Sequence, residues 1–235
     1  MSAPRQATGW RKLLPPPEPR PEPMSWIGAL GIMAALVALL YAVEVVDVAL
    51  GRRLDAHGLR PREVAGLYGI VTAPFLHSSW WQLTANALPL LLIGWVVLLA
   101  GARPFAIATA LVAVLGGALT WLVAPTGNIL GTSGLIFGWL GYLFGRAYFS
   151  RRPMWIIAAI AVAIMFGGLL GGLLPSIGRE NSWQAHLCSF VGGVAAAWVL
   201  HPRRLRKPKK PKPTKGRERL NQLRQESTAP STPTT

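Results

Sequence analysis

The stretch GTSG at Gly131–Gly134 opens an apolar run that extends to about Phe149. A serine between glycines at the start of a membrane helix is unusual if helix packing is its only role. A second stretch, AHL at Ala185–Leu187, lies near the start of the last apolar run. The hydroxyl of Ser133 and the imidazole of His186 are the two functional groups that a serine nucleophile with a general base requires. The two stretches therefore predict a catalytic site between two membrane helices.

The composition indicates a membrane protein. Of 235 residues, 51% are hydrophobic and 14% are charged, well below the charged fraction of roughly a quarter in soluble domains. The apolar residues form blocks of roughly 20, the length that spans a bilayer. Cys188 is the only cysteine, which excludes an internal disulfide and a cysteine-based metal site. We expect no metal and no cofactor.

Six apolar runs predict six transmembrane helices in an all-α fold. Their approximate residue ranges are 26–49, 83–100, 105–124, 133–149, 154–174 and 183–200. The first loop, at about 50–79, contains apolar patches, so we expect it to lie partly in the membrane interface. Glu44 and Asp47 fall near the end of the first run, where we expect their carboxylates to reach the interface.

The two ends of the chain differ in composition from the membrane domain. Residues 1–24 are rich in proline and predict a disordered cytoplasmic segment. Residues 25–201 form the predicted membrane domain, and residues 202–235 a disordered basic tail. Of the 24 lysines and arginines, 11 lie between Arg203 and Arg224. A basic tail beside a membrane helix is typical of topology control and contact with anionic lipid, so no nucleic-acid partner is expected.

Charges in the short loops predict the orientation. Arginines lie between the second and third runs and around the junction of the fourth and fifth, whereas the loop between the third and fourth runs has no charge. The positive-inside rule then places both termini in the cytoplasm of a multi-pass protein in the cell (plasma or inner) membrane. Four arginines in the first loop oppose this orientation, but the basic tail and the even number of helices decide it. Ser133 and His186 then lie toward the outer side.

Two amides lie toward the same outer side as the serine and the histidine. Gln82 and Asn86 are four residues apart and share one helical face at the entrance of the second run. Together with the backbone N–H of Ser133 at a helix start, they are candidate donors to an oxyanion. Two amides at a helix start are, however, more often interfacial caps. No Asp or Glu lies where it could orient His186 inside the membrane, which predicts a Ser-His dyad.

Small residues predict close contact between the fourth and sixth helices. They occupy one face of the fourth run and, in the sixth, the face of His186. They are Gly134, Gly138, Gly141, Gly145, Ser189 and Gly193. Ordinary packing accounts for both stripes, and a helix–helix hydrogen bond alone would account for a buried histidine. Packing leaves unexplained why a hydroxyl and an imidazole also meet at this seam.

Over about residues 26–200, the chain resembles the rhomboid family of intramembrane serine proteases, of the bacterial six-helix type. The resemblance rests on the serine and histidine motifs with their following glycines, on His77 and Asn86, and on the order of the six runs. It implies Ser133 as nucleophile, His186 as general base, and an oxyanion hole formed by the Ser133 N–H and Asn86. It also implies a water-filled pocket open to the outside and a membrane-dipping first loop.

The chain departs from the family pattern at two places. Gln82 stands five residues after His77, where the family usually has a histidine in the oxyanion hole, and its amide can still donate. Cys188 and Ser189 replace the usual glycines after the histidine motif. Phe137 stands where an aromatic ring commonly packs on the catalytic histidine. The resemblance implies packing roles around the site for Gly131, Gly134, Phe137 and Gly193.

These observations predict a serine endopeptidase that cleaves transmembrane proteins near the outer face of the membrane. A proteolytically weak or silent relative that binds transmembrane clients is the alternative, and Gln82 is the residue that keeps it open. A six-span transporter is a third possibility, although the sequence has no clear internal repeat and lacks buried charge along a path.

Overall fold

The structure is a computed structural model that describes residues 24–175 and 183–201, and helices form most of this part of the chain. Leu59 and Ile129 form an isolated antiparallel bridge, with N···O distances of 3.0 and 2.9 Å between their backbones. Apart from Met24, the predicted disordered ends at 1–24 and 202–235 lie outside the described residues. Both therefore stay predictions.

Six long helices carry the described part of the fold. They are α1 (Trp26–Ala49), α2 (Trp80–Leu98), α3 (Ala102–Val123), α4 (Ser133–Ser150), α5 (Pro153–Met165) and α6 (Trp183–Leu200). The first loop contains the short helices Leu54–His57, Val64–Gly66, Gly69–Thr72 and Ala73–Phe75. The all-helical membrane fold is confirmed, and α1 and α6 have the predicted bounds.

Four of these helices, α1, α2, α3 and α6, are long and apolar enough to cross a membrane, and α5 with the segment after it makes five. The remaining helix, α4, lies at the centre and packs on α2, α3, α5 and α6. Its buried residues include Trp139, Tyr142 and Arg146. A helix that contacts mainly protein does not need a lipid-facing apolar surface, which explains the polar and glycine residues of α4. The count of six membrane-spanning helices stays a prediction.

The fifth predicted span is not one continuous helix. α5 ends at Met165, and a bent segment, Gly167–Leu173, follows it at an angle of 80°. Phe166, between them, has φ −120° and ψ 25°, outside the helical region. Glycine occupies four of the next six positions and disfavours continuation of the helix. The prediction of a single helix over 154–174 is therefore wrong.

The carboxylates near the end of α1 are buried within the protein, and their position at the membrane interface stays a prediction. Glu44 and Asp47 are each 2% exposed. Arg52 Nη2 lies 3.1 Å from Glu44 Oε1, and Asp47 Oδ1 accepts a hydrogen bond from the backbone N–H of Leu54 at 2.7 Å. Burial of a carboxylate requires such partners, and here they come from the residues that follow α1.

α2 begins three residues before the predicted position because Ser79 caps it. Its Oγ accepts a hydrogen bond from the backbone N–H of Gln82 at 3.2 Å, the usual contact of an N-cap. Farther along the chain, α3 contains a π-helical turn at Val112–Gly116. A Cβ on Gly116 would lie 2.7 Å from the Cα of Ser189, so α3 and α6 are in backbone contact at this turn.

α4 and α6 form the most extensive helix pair in the described residues. A Cβ on Gly193 would lie 2.7 Å from the Tyr142 nitrogen and 2.8 Å from the Gly138 carbonyl carbon. Real Cβ atoms essentially never come within 3.0 Å of other atoms. The glycine at 193 is therefore required for the close approach that sets the spacing between Ser133 and His186.

Candidate active site

The serine and the histidine are in hydrogen-bond contact. Ser133 is the first residue of α4, and its Oγ lies 3.1 Å from Nε2 of His186 on α6. The two residues are 53 positions apart in the chain, so this contact depends on helix packing. A hydroxyl that faces an imidazole nitrogen at this distance can transfer its proton to it.

Two further contacts fix the imidazole ring of His186. The ring of Phe137 stacks on it, with centroids 4.1 Å apart and an angle of 21° between the planes. Nδ1 of His186 lies 3.1 Å from the carbonyl oxygen of Gly172 in the bent segment. The imidazole is thus held at one face and at both nitrogens.

The two amides of α2 have different surroundings. Gln82 donates from Nε2 to the Leu130 carbonyl at 3.0 Å, and its Oε1 accepts from the N–H and hydroxyl of Ser78 at 2.8 and 3.0 Å. Nδ2 of Asn86 is buried without a hydrogen-bond partner in the described part of the chain. It lies beside the serine loop, because a Cβ on Gly131 would be 3.6 Å away. Asn86 therefore has a spare donor next to the serine, whereas Gln82 braces two loops.

The loop before the serine is held by the first loop. The Gly131 N–H donates to the Ala73 carbonyl at 3.0 Å, and Gly131 has φ +112°, a conformation that favours glycine. The N–H of Thr132 donates to Nε2 of His77 at 3.4 Å, and its hydroxyl lies 3.3 Å from the same nitrogen. His77 is 1% exposed, and burial lowers its pKa from 6.5 to about 4. A neutral His77 thus holds the residue before Ser133.

An ion cluster connects the end of α1 to His77, the residue that holds the loop before the serine. Arg52, which pairs with Glu44, also donates from Nη1 to the carbonyl of His77 at 3.3 Å and lies 3.6 Å from Asp55 Oδ2. The pKa of Asp55 is raised, chiefly by burial and by the neighbouring Asp47. The cluster thus links α1 to the backbone of the histidine that holds the serine loop.

The described residues, 24–175 and 183–201, contain no group of three or more His, Cys, Asp and Glu side chains arranged to hold a metal ion.

A family model described as the Rhomboid domain matches residues 64–203, more than half of the chain. The chain belongs to the rhomboid family. The match contains Ser133, His186 and both amides of α2. With its several apolar helices, this rhomboid protein is a multi-pass membrane protein.

Proteins of similar length from three mycobacterial species match this chain. Proteins from Mycobacterium bovis and Mycobacterium tuberculosis are each 42% identical over 183 residues, which cover 74% of this chain and 76% of theirs. A protein from Mycobacterium leprae is 41% identical over 182 residues, which cover 74% and 72%. All three are described as uncharacterized, so they assign no reaction to this chain.

Three contacts of this rhomboid site could not be predicted from the sequence. They are the Gly172 carbonyl at His186, the His77 contact with Thr132, and the Arg52 bond to the His77 carbonyl. Two of them use backbone oxygens, which every residue has. His77 carried the only signal, as part of the family resemblance.

Proposed function

We propose that this rhomboid protein is an intramembrane serine endopeptidase that cleaves transmembrane proteins near the outer face of the membrane. The observation that carries the proposal is the 3.1 Å contact between Ser133 Oγ and His186 Nε2. It occurs within the matched domain of a family whose members are typically serine intramembrane proteases.

The geometry supports acyl transfer in two stages. Ser133 Oγ attacks the scissile carbonyl as its proton moves to His186 Nε2, and a tetrahedral oxyanion forms. His186 then gives the proton to the leaving amine, and the acyl-enzyme forms as the peptide bond breaks. In the second stage a water molecule loses a proton to His186 and attacks the ester. This releases the carboxylate product and returns the proton to Ser133.

The oxyanion requires hydrogen-bond donors that are already in place. Asn86 Nδ2 is buried and unpaired in the described structure, so it can donate without losing another bond. The Ser133 N–H lies at a helix start, where amide groups lack intrahelical partners. Gln82 would have to give up the Leu130 carbonyl, or use its second N–H, to donate as well. We therefore propose Asn86 and the Ser133 N–H as the principal donors.

Several features of the proposal concern the membrane. A substrate helix must unwind locally, since an intact helix hides its carbonyls in its own hydrogen bonds. We place both termini in the cytoplasm of the cell membrane, with the basic tail against anionic lipid. No nucleic acid and no cofactor take part in the proposed reaction.

Labelling by a fluorophosphonate probe tests the proposal without knowledge of the substrate. Purified protein in detergent should be labelled, and Ser133→Ala and His186→Ala should each abolish labelling. Ser150→Ala and His57→Ala are matched controls outside the site and should be labelled as the wild type is. Labelling that survives Ser133→Ala would place the reactive serine elsewhere and overturn the assignment.

The position of Gln82 favours a second candidate function. Because its amide nitrogen is bonded to Leu130, the site has one fewer free donor than two amides would offer. A folded wild type that is not labelled would support a proteolytically silent protein that binds transmembrane clients. In that case Ser133→Ala should leave client binding intact, as measured by co-purification with a model transmembrane segment. Gln82→His would then test whether labelling can be restored.

A further inference from the structure

The bent segment Gly167–Leu173 contacts the dyad at Gly172. Gly172 lies against the rings of Phe137 and His186, because a Cβ on it would be 2.9 Å from Phe137 Cζ and 3.3 Å from His186 Nδ1. At Gly171, the neighbouring position, a Cβ would have no atom within 4 Å. The approach is therefore specific to Gly172.

The chemistry of the carbonyl group determines which partner donates in the hydrogen bond between Gly172 and His186. A carbonyl oxygen can only accept, so the 3.1 Å contact between the Gly172 oxygen and His186 Nδ1 requires a hydrogen on Nδ1. A neutral imidazole has one hydrogen, and Nε2 therefore presents its lone pair to the Ser133 hydroxyl 3.1 Å away. Without a partner at Nδ1, a neutral ring populates both tautomers, one of which cannot accept the serine proton.

The bend supplies this carbonyl. In an uninterrupted helix, the oxygen of Gly172 would bond to an N–H four residues later. The 80° bend at Phe166 and the helix end near Leu173 leave it free to accept from a side chain instead. In the described residues no carboxylate contacts His186.

We propose that Gly172 is a positioning residue whose backbone carbonyl holds His186 in the Nδ1–H tautomer, so that the proposed dyad works with a third, main-chain partner. Its effect on catalysis rests on the proposed function above, whereas its effect on the tautomer does not. The broken fifth span then has a chemical role: it brings a backbone acceptor to His186, which no carboxylate contacts in the described residues. A Cβ at 172 would press on the rings of Phe137 and His186, so we expect it to disturb the contact between this acceptor and Nδ1.

The tautomer can be read directly by 15N NMR of the full-length protein with labelled histidine. A nitrogen that carries hydrogen and one that does not have well-separated shifts, and His186→Ala assigns the signals of this ring. At about pH 8, above the ordinary pKa of histidine near 6.5, wild type should show hydrogen on Nδ1 alone. Hydrogen on Nε2 in the folded wild type would overturn the proposal without the need for any variant.

Gly172→Ala and Gly171→Ala form a matched pair one residue apart in the same segment. Gly172→Ala should give a mixture of tautomers, while Gly171→Ala should give the wild-type spectrum. If the wild type reacts with the fluorophosphonate probe, Gly172→Ala should also slow labelling about fivefold to tenfold, the effect of one lost hydrogen bond. Gly171→Ala should label at the wild-type rate.

The outcomes separate this inference from the proposed function. An unlabelled wild type whose His186 carries hydrogen on Nδ1 would contradict the protease and support the role of Gly172. A labelled wild type in which both variants keep the tautomer would support the protease and contradict the role of Gly172. Thermal unfolding of each variant serves as a control, and if Gly172→Ala does not fold, the wild-type spectrum alone decides.

Discussion

Lowering the pH should destabilise this rhomboid protein through His77. The side chain is 1% exposed, burial lowers its pKa to about 4, and its Nε2 accepts the N–H of Thr132. A protonated imidazole carries hydrogen on both nitrogens and cannot accept. Protonation therefore breaks the contact beside Ser133 and introduces a buried charge.

The two pKa values fix the sign and the size of this effect. The ordinary pKa is 6.5 and the pKa in the folded protein is about 4. Between these values the unfolded chain binds a proton at His77 that the folded chain does not, so the free energy of unfolding falls as the pH falls. The loss is about 1.4 kcal/mol per pH unit and reaches about 3 kcal/mol near the lower value. Above the upper value, this residue contributes no pH dependence.

A second histidine, His201, titrates over the same range. Burial and the neighbouring Arg146 and Arg152 lower its pKa to about 4, and its Nε2 lies 3.0 Å from the hydroxyl of Tyr142. Its effect must be separated from that of His77. His77→Gln retains an acceptor for the Thr132 N–H but does not titrate. His201→Gln likewise retains a polar partner for the Tyr142 hydroxyl and removes the titration of His201.

Equilibrium unfolding in detergent at several pH values between about 4 and 7.5, followed by tryptophan fluorescence, measures the effect. This range spans both pKa values. His77→Gln and His201→Gln should each remove part of the slope, and the double variant most of it. His57→Gln is a matched control on the exposed part of the first loop and should keep the wild-type slope. A full wild-type slope in His77→Gln would refute the explanation from a buried, neutral His77.

Three further predictions concern packing, the ion cluster and the oxyanion donors. Gly193→Ala should push α4 and α6 apart, lower the free energy of unfolding by about 1–3 kcal/mol and abolish labelling of Ser133. Gly31→Ala is the control, because a Cβ at Gly31 meets no atom within 4 Å. Unchanged labelling in Gly193→Ala would contradict the close contact between α4 and α6. Arg52→Ala should lower the free energy of unfolding because it leaves Glu44 buried without its charged partner. Glu44→Gln in the same chain should recover part of this loss, and equal stability of the single and double variants would argue against the pair. Asn86→Ala should slow labelling about 100-fold or more without a loss of stability, whereas Gln82→Ala should mainly lower the melting temperature. The reverse pattern would assign the oxyanion to Gln82.

The sequence predicts the bounds of those helices that begin and end with an apolar run. α1 and α6 begin and end where the apolar runs do, and α2 is misplaced only by its cap at Ser79. Composition also locates α4, predicted over 133–149 and observed at Ser133–Ser150, although the protein around it, and not lipid, sets which residues it can contain. Helix boundaries are therefore predictable here where the helix and the apolar run coincide, and they are missed where a polar cap such as Ser79 extends the helix beyond the run.

The candidate site shows the limit of such prediction more clearly. Side chains with distinctive chemistry, Ser133 and His186, can be named from the sequence because few residues in the apolar runs have their functional groups. The Gly172 carbonyl cannot, since its position depends on a bend at Phe166 that hydropathy does not report. Glu44 shows a related limit, because its burial against Arg52 cannot be predicted from a carboxylate near a helix end.

Gln82 stands where the family usually has a histidine, and it shows that a different residue at such a position can take on a different structural role. An imidazole has one donor and one acceptor when neutral, whereas a primary amide has two donors and an acceptor on a longer, more flexible side chain. Here the amide oxygen binds Ser78 and the amide nitrogen binds Leu130, so the side chain ties the start of α2 to the loop that leads into Ser133. With Gln82 occupied in this way, Asn86 is the amide whose nitrogen, Nδ2, is buried beside that loop without a partner in the described residues. A buried unpaired donor costs about 1–3 kcal/mol, a cost that a developing oxyanion at this position would offset.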